Sequence, residues 1–186
     1  DRSVSRGLGD VYKRQILDTA RLRYGLSEHF KVAQGNIHAY VFGEHGDTSF
    51  IPWTGAYISG LSTDEYYEEM KAHGKDVKPL DKEAMLEYVQ KSGGKVIAKK
   101  GATFYAVSAT VCQLVGLILA ASDSLATVSS MLHGEYGIED VCLSTLTLVG
   151  PNGIQGKVQM RMNKEEVALL KKSADALKEV IAQIEL

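Results

Sequence analysis

Hydrophobic positions along this chain of 186 residues follow two rhythms, helical spacing and strand-like runs, and the switches between them predict an α+β domain with antiparallel strands and long packed helices. A helix over Ile16–Phe30 leads to the strand-like run Ile37–Phe42, a glycine-bounded loop, and an extended segment near Ser49–Ile58. Helices are expected over roughly Thr63–His73 and Asp81–Lys99, the second strained by Gly93-Gly94. Phe104–Ala126 reads as one long helix, buried on most sides, because Ala109 to Ala121 is almost wholly apolar. Strands follow near Thr127–His133, Val141–Leu148 and Gly156–Met162. The turn signals Gly134-Glu135-Tyr136-Gly137 and Pro151-Asn152-Gly153 make these strands an antiparallel meander. Asn163 is placed to cap a final helix with the apolar stripe Val167, Leu170, Ala174, Leu177 and Ile181. No internal repeat or flexible interdomain linker is visible.

Composition narrows the classes. Hydrophobic residues make up 45% and charged residues 24%, close to the globular average, so disorder is not expected. The net charge of -2 comes without a basic stripe, which argues against nucleic acid as a partner. The apolar run from Ala109 to Ala121 falls short of the roughly 20 residues a membrane span needs, and Gln113 interrupts it. Cys112 and Cys142 have no metal-ligand spacing and read as buried, reduced thiols of a cytoplasmic protein. Residues Asp1 to Gln15 are rich in Arg, Gly and Ser and lack the apolar centre of a signal peptide. Gly7-Leu8-Gly9 is a glycine fragment with no strand before it and no helix expected after it, hence not a nucleotide fingerprint. The change of character at Ile16 marks 1–15 as an unassigned leader of artefactual origin, joined to a domain spanning 16–186.

The candidate chemistry sits in two motifs. Gly43-Glu44-His45-Gly46-Asp47 places a histidine between glycines at the end of a strand-like run, where backbone can turn sharply and an imidazole can exchange a proton near neutral pH. Alone, this pentapeptide reads equally well as a surface turn. Upstream, Asp18 and Arg21 are three residues apart on the first turns of a helix and share a face. As an isolated pair they would be an ordinary ion pair of little worth. With His45 they supply a proton carrier, an anion to orient it, and a planar cation suited to a substrate carboxylate. A hydrolase or metal site built on His45, Glu44 and Asp47 is a competing reading, weakened because these neighbours do not easily face one ion and no second histidine stands at ligand spacing.

These two motifs, with Lys100-Gly101-Ala102-Thr103 and the tail Val149-Gly150-Pro151-Asn152-Gly153 before a last amphipathic helix, resemble the carboxy-terminal, substrate-binding half of the NAD-dependent L-lactate and malate dehydrogenase family, bacterial L-lactate dehydrogenases most closely. The resemblance runs from Ile16 to Leu186. It implies His45 as proton donor and acceptor, Asp18 as its orienting carboxylate, Arg21 as the clamp on the carboxylate of a small 2-oxo or 2-hydroxy acid, and Thr103 as pocket lining or helix cap. It implies NAD as cofactor, held mainly by an amino-terminal dinucleotide-binding domain that has no counterpart in this sequence, so that the chain alone is expected to be inactive. Arg23 and His38 match positions that bind fructose 1,6-bisphosphate between subunits of activated bacterial members. The resemblance further implies a homotetramer or dimer and a role in glycolysis and fermentation. Malate or a branched 2-hydroxy acid remains an alternative substrate to lactate, towards which Trp53 leans. A non-catalytic oligomerisation half-domain is the alternative of a different class.

Overall fold

The computed structural model describes residues 9–183 except residue 121, with side chains from Gln15 onward; the first eight residues of the expected leader lie outside the described residues. Helix α1 (Gly9–Phe30) is the element on which both halves of the domain rest. It starts earlier than the pattern suggests, so the junction expected at Ile16 falls inside a continuous helix and Gln15 is a buried residue of it. Its inward face carries Ile16, Leu22, Leu26 and Phe30, while Tyr24 points outward. The helix stops where Lys31 turns to a positive φ of 53° and Ser27 Oγ donates to the Val32 carbonyl at 2.7 Å.

One half of the domain packs a small antiparallel sheet, β1 (Ile37–His38), β2 (Tyr57–Ile58) and β3 (Leu61–Ser62), with α2 (Thr63–Ala72) and α3 (Lys82–Lys100). Ser62 and Glu65 form a reciprocal capping box at the start of α2, and Asp81 caps α3 through Ala84 N–H at 2.8 Å. Gly93-Gly94 does not break α3. Gly25 lets α1 and α3 approach, since a Cβ there would lie 2.7 Å from Met85 Sδ. Leu22, Leu26, Phe30, Ile37, Ile58 and Val89 form the core of this half.

Two expected strands are shorter in fact. Regular pairing of Ile37–Phe42 stops at His38, because α1 side chains take backbone groups of Ala39 and Val41, and only Phe42 pairs again, as an isolated bridge with Phe50. Arg23 Nε donates to the Ala39 carbonyl at 3.1 Å, and Val41 N–H donates to Thr19 Oγ1 at 3.1 Å. The extended segment Ser49–Ile58 is interrupted by a 3-10 turn at Trp53–Gly55.

The other half is an antiparallel meander of β4 (Ser124–His133), β5 (Glu139–Gly150) and β6 (Gly153–Lys157) with α5 (Lys164–Ile181) across it; the third strand, expected over Gly156–Met162, instead starts at Gly153 directly after the Pro151-Asn152 turn and ends at Lys157. Asn163 caps α5 as expected, in a box with Glu166. Leu170 and Ala174 are buried, whereas Ile181 at the end of the stripe is exposed. Phe42, Phe50, Leu132, Leu143 and Leu170 make the second core.

Helix α4 (Tyr105–Leu119) departs most from expectation. It ends at Leu119 and not at Ala126, because Ser122, Asp123 and Ser124 favour turn over helix and Ala126 is already paired with Thr147 in the sheet. Nor is it buried on most sides: Tyr105 is 81% and Leu119 79% exposed, with Val111, Cys112 and Val115 also outward. Thr110 is buried, and the stripe of Leu114, Leu117 and Ile118 packs inward on Ile16, Ala126, Val128 and Val149. The apolar pattern encodes a need for cover, and α1 and the sheet cover one side. Cys112 is therefore exposed and Cys142 half-buried, both free, in place of the expected buried pair. Among the described residues no helix is long and apolar enough to cross a membrane.

Candidate active site

Val41 belongs to the first core and Phe42 to the second, and both are fully buried, so the chain is pinned from two sides just before the histidine loop leaves. Gly43 adopts a φ of +93°, and a Cβ there would meet Ser173 Oγ at 2.8 Å, so this turn requires glycine. The loop is then tied to four elements. Gly43 N–H donates to Ser144 O of β5 at 3.1 Å, and Gln15 Nε2 of α1 donates to the carbonyls of Gly43 at 3.0 Å and Glu44 at 2.6 Å. Gln90 Nε2 of α3 donates to Ser49 O at 3.1 Å, and Ser173 Oγ of α5 accepts Glu44 N–H at 2.8 Å. The Gln15 Oε1 atom, on the far side of that amide, is buried with no hydrogen-bond partner among the described residues.

Asp18 lies beneath the loop and is 4% exposed. Its Oδ2 meets His45 Nδ1 at 2.5 Å and its Oδ1 accepts from Arg21 Nη1 at 2.7 Å. An ionised carboxylate only accepts, so Nδ1 carries the hydrogen in this contact and Nε2 is the ring atom left to give or take a proton. Arg21 spends one amino nitrogen on Asp18 and keeps the rest of its donor fork. Lys31 and Glu28 have the same helical spacing, yet their side chains are 75% and 59% exposed against 14% and 6% for Arg21 and Asp18. A solvated pair of that kind contributes about 0–1 kcal/mol, so spacing alone carries little and burial makes the difference. The three residues expected to work together therefore are together, with a proton carrier, a fixed anion and a guanidinium that can receive a second carboxylate.

The remaining expected residues fare differently. Glu44 turns away from His45 and accepts from Thr48 N–H at 3.1 Å and Thr48 Oγ1 at 2.8 Å, so the loop's own carboxylate is not the one on the imidazole. Thr103 is half-buried ahead of α4 and does not cap it; Phe104 holds the cap position, with no side-chain hydrogen bond. Arg23 lies over the Tyr40 ring at 5.1 Å, and its bond to Ala39 O brings it beside the segment carrying exposed His38. Trp53 is half-buried against the first core and lines a cavity of about 530 Å³ with Asp64, Lys82 and Glu166, none of which belongs to the Asp18 cluster. A smaller pocket of about 160 Å³ opens beside His45, between Ser129, Cys142 and Ser144. The pattern reading missed Gln15, Thr48, Gln90 and Ser173, which hold the loop from distant parts of the chain.

Residues 16–185 match the family described as lactate/malate dehydrogenase, alpha/beta C-terminal domain. The chain belongs to the lactate/malate dehydrogenase C-terminal domain family. An L-lactate dehydrogenase of Acetivibrio thermocellus is 43% identical over 171 residues, covering 92% of this chain and 53% of the relative. L-lactate dehydrogenase 1 of Clostridium acetobutylicum is 41% identical over 169 residues, covering 91% of this chain and 53% of the relative. Among solved structures, the minor L-lactate dehydrogenase from Enterococcus mundtii in a ligand-bound form superposes with a TM-score of 0.84 at 28% identity, over 95% of this chain and 55% of that one. The chain thus spans about half the length of the lactate/malate dehydrogenase relatives it matches. The antiparallel sheets and packed helices are the architecture of this family's C-terminal domain.

Proposed function

We propose that the chain is the substrate-binding and proton-transferring half of a bacterial NAD-dependent L-lactate dehydrogenase that interconverts pyruvate and L-lactate. The observation that carries this reading is the buried Asp18 carboxylate shared between His45 Nδ1 and Arg21 Nη1. Arg21 offers its free donors to the substrate carboxylate in a two-bond fork, which fixes the 2-carbon in register. The cationic His45 ring delivers the Nε2 proton to the oxygen of the 2-oxo group as the carbon beneath it receives a hydride. In the reverse direction neutral Nε2 takes the hydroxyl proton as the hydride leaves. Asp18 keeps the ring in the tautomer both directions need and balances its charge. NAD, when bound, would supply the hydride in its reduced form and accept it in its oxidised form.

Residues 16–186 hold no G-x-G-x-x-G turn, so the chain's own contribution is to the acid and its proton, and NAD is assigned chiefly to a preceding dinucleotide-binding half. Thr103 is proposed to line the side of the pocket that takes the small 2-substituent. The approach of Arg23 to the His38 segment favours these two as a fructose 1,6-bisphosphate site, a cation beside a protonatable ring. The bare side of α4 fits a domain that works inside a larger homo-oligomer, a tetramer or dimer; a cytoplasmic location is proposed along with the dehydrogenase reading. Malate and branched 2-hydroxy acids are the second reading for the substrate.

The test is NADH consumption with pyruvate by two proteins. One is this chain; the other is a chimera in which the first half of the Acetivibrio thermocellus relative precedes residue 16. The chimera is expected to turn over pyruvate and the chain alone is not. Robust turnover by the isolated chain would move the nucleotide site into it, and a folded, NADH-binding chimera inert towards pyruvate, malate and branched 2-oxo acids would end the dehydrogenase reading.

A further inference from the structure

Ser173 sits in the middle of α5, fully buried between Leu170 and Ala174, where alanine would cost the helix less. Two hydroxyls of α4 turn back on their own helix: Ser108 Oγ donates to Phe104 O at 3.0 Å and Thr110 Oγ1 to Ala106 O at 2.8 Å. Ser173 instead reaches across to the histidine loop. Its Oγ accepts Glu44 N–H at 2.8 Å and lies 3.0 Å from Thr48 Oγ1. Thr48 Oγ1 is the donor towards both Ser173 Oγ and, at 2.8 Å, the Glu44 carboxylate, which share its one hydroxyl proton. The result is a closed ring of contacts, with Ser173 Oγ accepting from Glu44 N–H and Thr48 Oγ1, and Thr48 Oγ1 reaching back to the Glu44 carboxylate.

This ring grips the residue immediately before His45, and Asp18 grips the imidazole itself. Gly43 on the other side of Glu44 has no room for a side chain because Ser173 Oγ occupies that space. The backbone at 43–44 is thus held by α5 together with Gln15 of α1 and Ser144 of β5, and the ring of His45 is held by Asp18 of α1. We propose that Ser173 is a positioning residue of the histidine loop: through Glu44 and Thr48 it fixes the His45 imidazole against Asp18, so that the C-terminal helix sets the proton-transfer geometry. The catalytic consequence rests on the dehydrogenase reading above; the geometric one does not.

The experiment compares the unsubstituted chain with Ser173→Ala, Thr48→Val and, as a control for an ordinary helical hydroxyl, Ser108→Ala. Amide exchange of Glu44 relative to core amides, and the NMR signal of the His45 ring proton held by Asp18, are read on each. Ser173→Ala is expected to speed Glu44 exchange about tenfold and to shift or broaden the ring signal, Thr48→Val to do the same more weakly, and Ser108→Ala to do neither. In the chimeric enzyme the same Ser173→Ala change should lower kcat about tenfold with KM for pyruvate little altered. A lowered melting temperature with Glu44 exchange and the ring signal unchanged would overturn the proposal and leave Ser173 as a packing residue. Altered loop signals with kcat untouched would uphold the positioning role and count against His45 as the proton-transfer group.

Discussion

Two buried carboxylates, Asp18 and Glu166, are 4% and 6% exposed, and they differ in what they hold. Glu166 takes backbone amides: Oε1 accepts Thr54 N–H and Oε2 accepts Asn163 N–H, both at 2.9 Å. Those groups have no further use once bonded, so Glu166 ties the start of α5 to the Trp53 turn and nothing more. Asp18 takes side chains, an imidazole and a guanidinium, each of which keeps donors or a lone pair free. A buried carboxylate saturated by backbone serves the fold; one saturated by groups with unused valence serves chemistry at the price of desolvation.

Separating the two in one enzyme is the sharpest use of this difference. Asp18→Asn keeps the shape but removes the charge opposite the imidazolium, and turnover of pyruvate by the chimera is expected to fall by about two to three orders of magnitude. Its melting temperature should drop by only about 2–4 °C, as for a loss near 1 kcal/mol in a domain of this size. Steady-state kinetics and thermal melting on the same preparation check both numbers; equal turnover with a large melting loss would make Asp18 structural.

Glu166→Ala should behave in the opposite way. It strands two amides near the Trp53 turn and the α5 cap, costing about 2–4 kcal/mol, while turnover per folded molecule stays near that of the parent. Denaturant titration gives the first quantity and active-site-normalised kinetics the second. A loss of turnover at full folding would erase the distinction between the two carboxylates.

How much of this was legible in the chain follows the same division. Asp18, Arg21 and His45 could be picked out because residue types with complementary chemistry stood at a helical spacing and in a glycine loop. The meander and the Asn163 cap were legible too, since turn residues and a cap act locally. Ser173 was not, because its partner Glu44 is 129 residues away and a lone serine in an amphipathic helix carries no signal of what it touches. The same holds for the ending and exposure of α4. An apolar run states that burial is favourable, but not which surface provides it. Ile37–Phe42 looked like a strand because its alternation matches one, and the side chains that replace the missing neighbour come from α1.

A third carboxylate gives the smallest effect and tests the backbone-holding device at the surface. Glu135 Oε2 accepts His133 N–H at 2.6 Å, and that hydrogen bond holds its carboxyl below the ordinary value. A depressed folded-state value means that the unfolded chain binds the proton more readily, so the contribution is present above the ordinary carboxyl range and lost as pH falls through the folded value. Glu135→Gln should therefore melt slightly below the parent at pH 7, and the gap should close as the pH falls through the lowered folded-state value. A gap of constant size across that range would remove the carboxylate charge from the explanation.

The central claim is that His45 moves the proton, and His45→Gln in the chimeric enzyme tests it most directly. Gln keeps a polar side chain and loses the titratable ring, so pyruvate turnover is expected to fall by about two to four orders of magnitude with NADH binding little changed. Near-normal pyruvate reduction by this variant would contradict the account.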